Sequence, residues 1–217
     1  EALALAAQRA GARVVFANPG TTEMHLVGAL NQEGGLRAVL GLHETVCSGA
    51  ADGYGRMAGE PALTLLHLGV GLANALANLH NARRAGTPVV NIVGDMATWH
   101  VAMDPPLASD IAALGGWAGW VRECRSASRL GADVAEALAW ARQGEPGQRG
   151  RVATLVVPHD LTWDRVAASM AEPDPPAAEA PAAGLSSQAQ DFLQQLAGRL
   201  KAAGGKACLF LGGRALV

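Results

Sequence analysis

The sequence predicts an α/β fold: a doubly wound, mainly parallel sheet with helices on both faces, followed by the truncated start of a second α/β domain. Three observations carry this. Short apolar runs rich in β-branched and leucine residues alternate with amphipathic stretches of helical period, the pattern of repeated βαβ units. Runs such as Ala62-Leu63-Thr64-Leu65-Leu66 are apolar almost throughout, which suits strands covered on both faces. Half of the 217 residues are apolar and 17% are charged, a globular composition with material for a sizeable core.

The strands are expected at Arg13–Ala17, Arg37–Leu42, Ala62–Leu66, Val89–Val93 and Val152–Val157, with a weaker one near Trp120–Cys124. Gly, Pro or polar turn residues bound each of them. Helices are expected near 22–33, 44–58, 72–85, 106–114 and 132–142, filling the crossovers that parallel strands require. Residues 1–165 then form one domain. The segment 166–186, with Pro173, Pro175, Pro176 and Pro181 among alanines, reads as an extended linker. Ser186 or Ser187 caps a helix running to about Ala203, and a strand Ala207–Leu211 and a Gly212-Gly213 turn follow. One helix and one strand bury no core of their own, so 187–217 is expected to open a central domain of a longer protein. The chain starts on Glu1 without a methionine, so a few residues are expected to precede it.

A net charge of −2 with scattered Arg and Lys leaves no footprint for a nucleic-acid partner. Cys47, Cys124 and Cys208 lie far apart without CxxC spacing, which speaks against a disulfide framework or structural zinc and for thiols in a reducing cytoplasm. No apolar run approaches the ~20 residues of a membrane span, and residues 1–10 have no signal-peptide pattern.

Three small-residue turns follow strands and can gather their polar groups at one sheet edge. They are Asn18-Pro19-Gly20-Thr21-Thr22-Glu23, Gly41-Leu42-His43-Glu44-Thr45, and His67-Leu68-Gly69-Val70-Gly71-Leu72-Ala73-Asn74. With the small-residue helix that Glu44 opens, this arrangement resembles the pyrimidine-binding domain of thiamine-diphosphate enzymes of the acetolactate synthase and benzoylformate decarboxylase family, over about residues 1–165. The resemblance implies that the Glu44 carboxylate bonds the cofactor's aminopyrimidine ring. Thr45, Val46, Cys47 and Ala50 give it uncharged neighbours, in which a carboxyl shares a proton readily. By itself, Glu44 is equally a first-turn acid facing the helix dipole.

His67 ends a strand at the spacing from Glu44 found in benzoylformate decarboxylase-like chains. The resemblance gives it an acid–base role at the reacting carbon; a buried histidine satisfied by backbone is the plainer reading. Thr21 stands where related decarboxylases offer a hydroxyl to the substrate carboxylate, and Thr21 or Thr22 also reads as a helix cap. Asn18, Pro19, Gly20, Gly69, Gly71 and Asn74 are cofactor-binding candidates, the glycines letting backbone approach a flat ring. Relatives often carry Pro at the position of Val70. His100, in the loop after the fourth strand, is a possible second proton donor or an ordinary loop histidine. Trp99, Trp117 and Trp120 are read as packing at a subunit contact.

The family's Gly-Asp-Gly…Asn element for diphosphate and Mg²⁺ is absent; Gly94-Asp95-Met96 lacks the second glycine, so no metal ligand is assigned in this chain. The resemblance thus implies thiamine diphosphate and Mg²⁺, with the diphosphate half on a missing domain and a homodimer or tetramer sharing active sites. FAD, carried by some synthases through the middle domain, is left open. The expected activity is decarboxylation of a 2-oxo acid, with or without ligation to a second carbonyl compound, and this fragment alone is expected to be inert. The alternatives are a simple benzoylformate-type decarboxylase, a catalytically silent binding module of the same fold, and a Rossmann protein, which lacks its third glycine at Asn74.

Overall fold

The computed structural model describes residues 1–30, 35–144, 150–166 and 187–208. The chain divides into two units, Glu1–Asp174 and Pro175–Val217. In the first, six strands, β1 (Val14–Asn18), β2 (Arg37–Leu40), β3 (Ala62–His67), β4 (Val89–Asp95), β5 (Trp120–Glu123) and β6 (Val152–Pro158), form one sheet in the order β2-β1-β3-β4-β6-β5. Every pairing is parallel. All six expected strands are present.

Alternating side chains divide the core into two layers, as the period of two in a strand demands. Leu63, Leu65, Val90, Ile92, Ala153 and Leu155 face α1 (Ala2–Arg9), α2 (Met24–Leu30) and α7 (Leu130–Arg142). Ala62, Leu66, Val89, Val93, Val152 and Val156 face α3 (Glu44–Ala58), α4 (Leu68–Ala85) and α6 (Ile111–Ala118). Leu63, Leu66, Leu72 and Leu79 are wholly buried, and each contributes about 2 kcal/mol by leaving water. On the second face, Thr64, Asn91 and Thr154 stand in register across β3, β4 and β6. Thr64 Oγ1 donates to Asn91 Oδ1 at 2.8 Å, and Asn91 Nδ2 donates to Thr154 Oγ1 at 3.1 Å. A polar rung inside an apolar sheet is affordable because its members satisfy one another.

Three elements differ from expectation. The sequence reading placed nothing before Arg13, yet Ala2–Arg9 is a helix. Its alanines have the best helix propensity, Leu3, Ala6, Ala7 and Ala10 recur on one face, and Gly11 ends it at φ +88°. α4 starts at Leu68 instead of 72, so Gly69-Val70-Gly71 is a first helical turn and not a loop. The chain manages this by placing Leu68 in the left-handed region, φ +55°, which turns the strand directly into the helix. α6 runs Ile111–Ala118 because Pro105 and Pro106 stay in the preceding loop and Asp110 caps it, accepting from Ala113 N at 2.8 Å; the short α5 (Thr98–Val101) precedes that loop.

In the second unit α8 (Ser187–Ala203) is followed by a 3₁₀ turn at Gly204–Lys206, with Phe192 and Leu193 exposed. Residues 167–186 of the expected linker, and 209–217 with most of the expected last strand and its Gly-Gly turn, lie outside the described residues.

Candidate functional site

After β1 the chain crosses to β2 on one side, and after β2 it returns to β3 on the other. Loops leave opposite faces of the sheet at this switch point, beyond the carboxyl ends of β1 and β3. The polar groups singled out in the sequence gather there.

β1 ends at Asn18, whose Nδ2 donates to Gly41 O at 2.8 Å and ties the ends of β1 and β2 together. Pro19 and Gly20 lead into a 3₁₀ turn, Thr21–Glu23, and Glu23 folds its wholly buried side chain back. Gly20 N donates to Glu23 Oε2 at 2.7 Å, and Thr22 Oγ1 donates to Glu23 Oε1. His67, the last residue of β3, brings Nδ1 to 2.9 Å from Glu23 Oε2 and 3.1 Å from Thr22 Oγ1. A carboxylate only accepts, so Nδ1 carries the proton, and Nε2 has no hydrogen-bond partner among the described residues. Two glycines make room for the pair. A Cβ on Gly20 would lie 2.3 Å from His67 Nδ1, and one on Gly94 would lie 1.7 Å from Glu23 Oε1.

Glu44 opens α3 and is 9% exposed. Asn74 Nδ2, from α4, donates to its Oε2 at 3.0 Å. Its Oε1 lies beside Gly71, where a Cβ would stand 3.1 Å away, and it has no hydrogen-bond partner among the described residues. Thr45 Oγ1 donates to Asn74 O at 2.7 Å and Asn78 Nδ2 donates to Thr45 O at 2.7 Å, fixing the two helix starts against each other. His43 Nδ1 accepts from Thr45 N at 3.2 Å, which caps α3. Burial, assisted by the nearby Glu44 charge, pushes the Cys47 thiol up, so it packs as a neutral group beside Gly41. Leu42, Val46 and Val70 are exposed apolar side chains on the segments that carry Glu44 and Gly71.

The structure therefore joins Gly20 and His67 in one cluster through Glu23, and Glu44, Gly71 and Asn74 in another, while the Asn18 side chain is taken up by Gly41 O. Gly69 has its open side filled by Ser109, whose Oγ would lie 1.9 Å from an added Cβ. Thr21 is exposed, and it is Thr22 that reaches His67. His100 sits in α5, half-buried and stacked on Trp99 at 5.4 Å, without a hydrogen bond to either cluster among the described residues. The sequence reading gave Glu23 no role beside His67. The one local signal was a threonine and a carboxylate directly after a strand-ending glycine turn. Among the described residues no group of three or more His, Cys, Asp or Glu is placed to hold a metal ion, and no helix is long and apolar enough to cross a membrane.

Comparison with known proteins gives the family and the fold. Residues 1–114 match the family model of the thiamine pyrophosphate enzyme N-terminal TPP binding domain. A Mycobacterium tuberculosis protein provisionally named acetolactate synthase large subunit IlvX is 51% identical over 172 residues, covering 79% of this chain and 32% of that protein. Benzoylformate decarboxylase of Pseudomonas aeruginosa is 32% identical over 102 residues, 47% of this chain and 19% of that protein. Among solved structures, the thiamine diphosphate-dependent 4-hydroxybenzoylformate decarboxylase of Rhodococcus jostii RHA1 shares the fold with a TM-score of 0.75 at 24% identity, covering 90% of this chain and 37% of that one. The chain thus spans about a third or less of the length of these curated relatives. With the family model covering more than half of its residues, and the sheet edge built as described, the chain belongs to the thiamine pyrophosphate-dependent enzymes of the acetolactate synthase and benzoylformate decarboxylase kind and carries their N-terminal domain.

Proposed function

We propose that this chain supplies the pyrimidine half of a thiamine diphosphate site in an enzyme that decarboxylates a 2-oxo acid and joins the product fragment to a second carbonyl compound, as an acetolactate synthase does. The observation that carries this is the Glu44 carboxylate: nearly buried, held through one oxygen by Asn74, and open at the other beside Gly71. That donor set fits a flat heterocycle presenting a ring nitrogen. When bound, the cofactor supplies the electron sink that cleavage next to a carbonyl requires.

In this reading Glu44 Oε1 holds or takes a proton at the ring nitrogen, and Asn74 orients the carboxyl group. His67, with Nδ1–H fixed on Glu23, uses Nε2 to hold or move a proton near the substrate. Exposed Thr21, beside the dyad, is the substrate-carboxylate candidate, and Gly71 keeps the side of α4 next to Glu44 free of a side chain. The diphosphate, Mg²⁺ and the substrate side-chain pocket belong to parts of the protein beyond this chain. A second copy is the proposed source of the diphosphate half, covering the apolar Leu42, Val46 and Val70. A reducing, cytoplasmic setting suits three free thiols.

The Glu23–His67 pair favours a second reading, simple benzoylformate-type decarboxylation, because protonating the product fragment needs a poised acid. Full-length wild type and Glu44→Gln, with thiamine diphosphate and Mg²⁺, are compared for carbon dioxide release and acetolactate formation on pyruvate and benzoylformate. Release that collapses in the variant supports the role of Glu44, and acetolactate from pyruvate selects the synthase. Equal release in both proteins refutes that role. No release from either points to a silent module of the same fold.

A further inference from the structure

The opposite edge of the sheet, where β4, β5 and β6 begin, holds a cavity of about 680 Å³ lined by Arg83, Arg84, Trp120, Trp140 and Arg151 together with backbone of Gly116, Gly119 and Gly150. Among the described residues, no acidic side chain lines it. Its wall is a ladder. The Arg122 guanidinium lies 5.0 Å over Trp120, Trp120 stacks on Trp140 at 6.3 Å, and the Arg151 guanidinium lies 4.6 Å over Trp140.

The two ends of the ladder differ. Arg122 is neutralised by Asp133 at 3.0 Å and by Glu136. Arg151 has no ion pair among the described residues, and its Nε is buried without an acceptor. Arg84 is exposed and also without an ion pair there, while Arg83 gives one N–H to Trp117 O at 2.6 Å, which leaves its charge unbalanced. The plain explanation is that Arg83 and Arg84 balance the C-terminal dipole of α4. That dipole is worth roughly half an elementary charge against three guanidiniums. Among the described residues, most of the positive charge in the cavity therefore lacks a counterion.

We propose that this cavity binds a small molecule through a phosphate group, gripped by Arg84 and Arg151 with Arg83 at its side. Guanidinium forks match tetrahedral oxyanions, and the volume lies in the range of small-molecule sites, larger than a lone ion needs. Each indole already carries an arginine over its ring, so recognition is assigned to the phosphate and not to base stacking against tryptophan. The site lies across the sheet from Glu44 and His67 and does not depend on the cofactor reading.

The test is calorimetric titration of the full-length protein with inorganic phosphate and, separately, ADP, at ionic strength held constant with sodium chloride. Wild type is compared with Arg84→Gln and Arg151→Gln, and with Glu44→Gln as a control at the other edge. Saturable binding that Arg84→Gln weakens roughly tenfold or more, and Glu44→Gln leaves unchanged, is the expected result. Phosphate binding as tightly as ADP assigns the site to the free ion; ADP at least tenfold tighter, still lost in Arg84→Gln, assigns it to a phosphorylated metabolite. Binding that is equal in wild type and both arginine variants, or no saturable heat with either probe, overturns the proposal. Arg84 is exposed, so its variant folds even if Arg151→Gln does not.

Discussion

Replacing Glu23 by Gln tests whether the buried carboxylate works through His67 or only fills space. The Glu23 carboxylate accepts from Gly20 N, Thr22 Oγ1 and His67 Nδ1. A glutamine keeps two of these if its carbonyl takes the Oε2 position, serving Gly20 N and His67 Nδ1. Its NH₂ then faces Thr22 Oγ1, which turns to accept. The reverse orientation sets NH₂ against Gly20 N–H, two donors together, and is rejected. The geometry therefore survives and only the charge is lost. A hydrogen bond to an ionised partner is worth about 1.5–3 kcal/mol and a neutral one about 1. The imidazolium form of His67 thus loses about 1–2 kcal/mol, or roughly 5- to 30-fold in any step that needs it. Turnover in the decarboxylation assay should fall by that factor, with the unfolding midpoint close to wild type. Glu23→Ala, which strands Gly20 N and opens a cavity, should fall further and lose about 2–4 kcal/mol of stability. Nitrogen-15 spectra of the His67 ring provide the readout that packing alone does not move. The neutral ring in the wild type should carry its proton on Nδ1. A proton on Nε2, or unchanged turnover in Glu23→Gln, would refute the reasoning.

Three further outcomes follow from packing, hydrogen bonds and burial in the structure. Asn91→Ala should cost about 3 kcal/mol in urea unfolding, since it strands the buried hydroxyls of Thr64 and Thr154. The triple change Thr64→Val, Asn91→Leu, Thr154→Val should be far milder, because no polar group is then left unpaired. Gly94→Ala should disable the Glu23–His67 pair, its Cβ falling 1.7 Å from Glu23 Oε1, whereas Gly28→Ala, with open space around its Cβ, should add about 0.5–1 kcal/mol by helix propensity. Burial holds the Asp95 carboxyl above its ordinary range, against the Met96 N–H bond that lowers it. The native state therefore keeps that proton to higher pH than the unfolded chain does, and this group's contribution to stability falls as pH rises through the two values. Asp95→Asn should raise the unfolding midpoint at pH 7 and have little effect near pH 3, and a constant difference across that range would contradict the assignment.

The strands were legible because β-branched runs bounded by Gly and Pro have few other solutions, and β3 and β4 declare their double burial in sequence. The start of α4 was not. Gly69-Val70-Gly71 has the composition of a loop, and only Leu68 in a left-handed conformation converts it into helix. Helix α1 carries no cap signal, and alanine propensity alone gave too weak a pattern to place it. At the site, Glu44, His67 and Gly71 stood out because their local contexts are unusual. Glu23 did not, because its meaning depends on β3 pairing beside β1 and on Gly94 leaving a gap, neither of which is a local property.

That difference also separates the tasks of the two buried carboxylates at the switch point. Glu23 is wholly buried, and each of its oxygens is already engaged, by Gly20 N and His67 on one side and by Thr22 on the other. No capacity is left for a ligand, so whatever Glu23 contributes must pass through His67. Glu44 is shielded less completely, at 9% exposed, and keeps one oxygen open beside Gly71. A solvent-reachable acceptor with one oxygen held by a neighbour keeps the other able to receive a complementary donor. On the proposed reading, Glu23 positions His67 and Glu44 receives the ligand. Glu44→Gln and Glu23→Gln should therefore separate in a way that removal of two equivalent acids would not: the first should weaken cofactor affinity and turnover together, and the second should lower turnover with cofactor affinity intact.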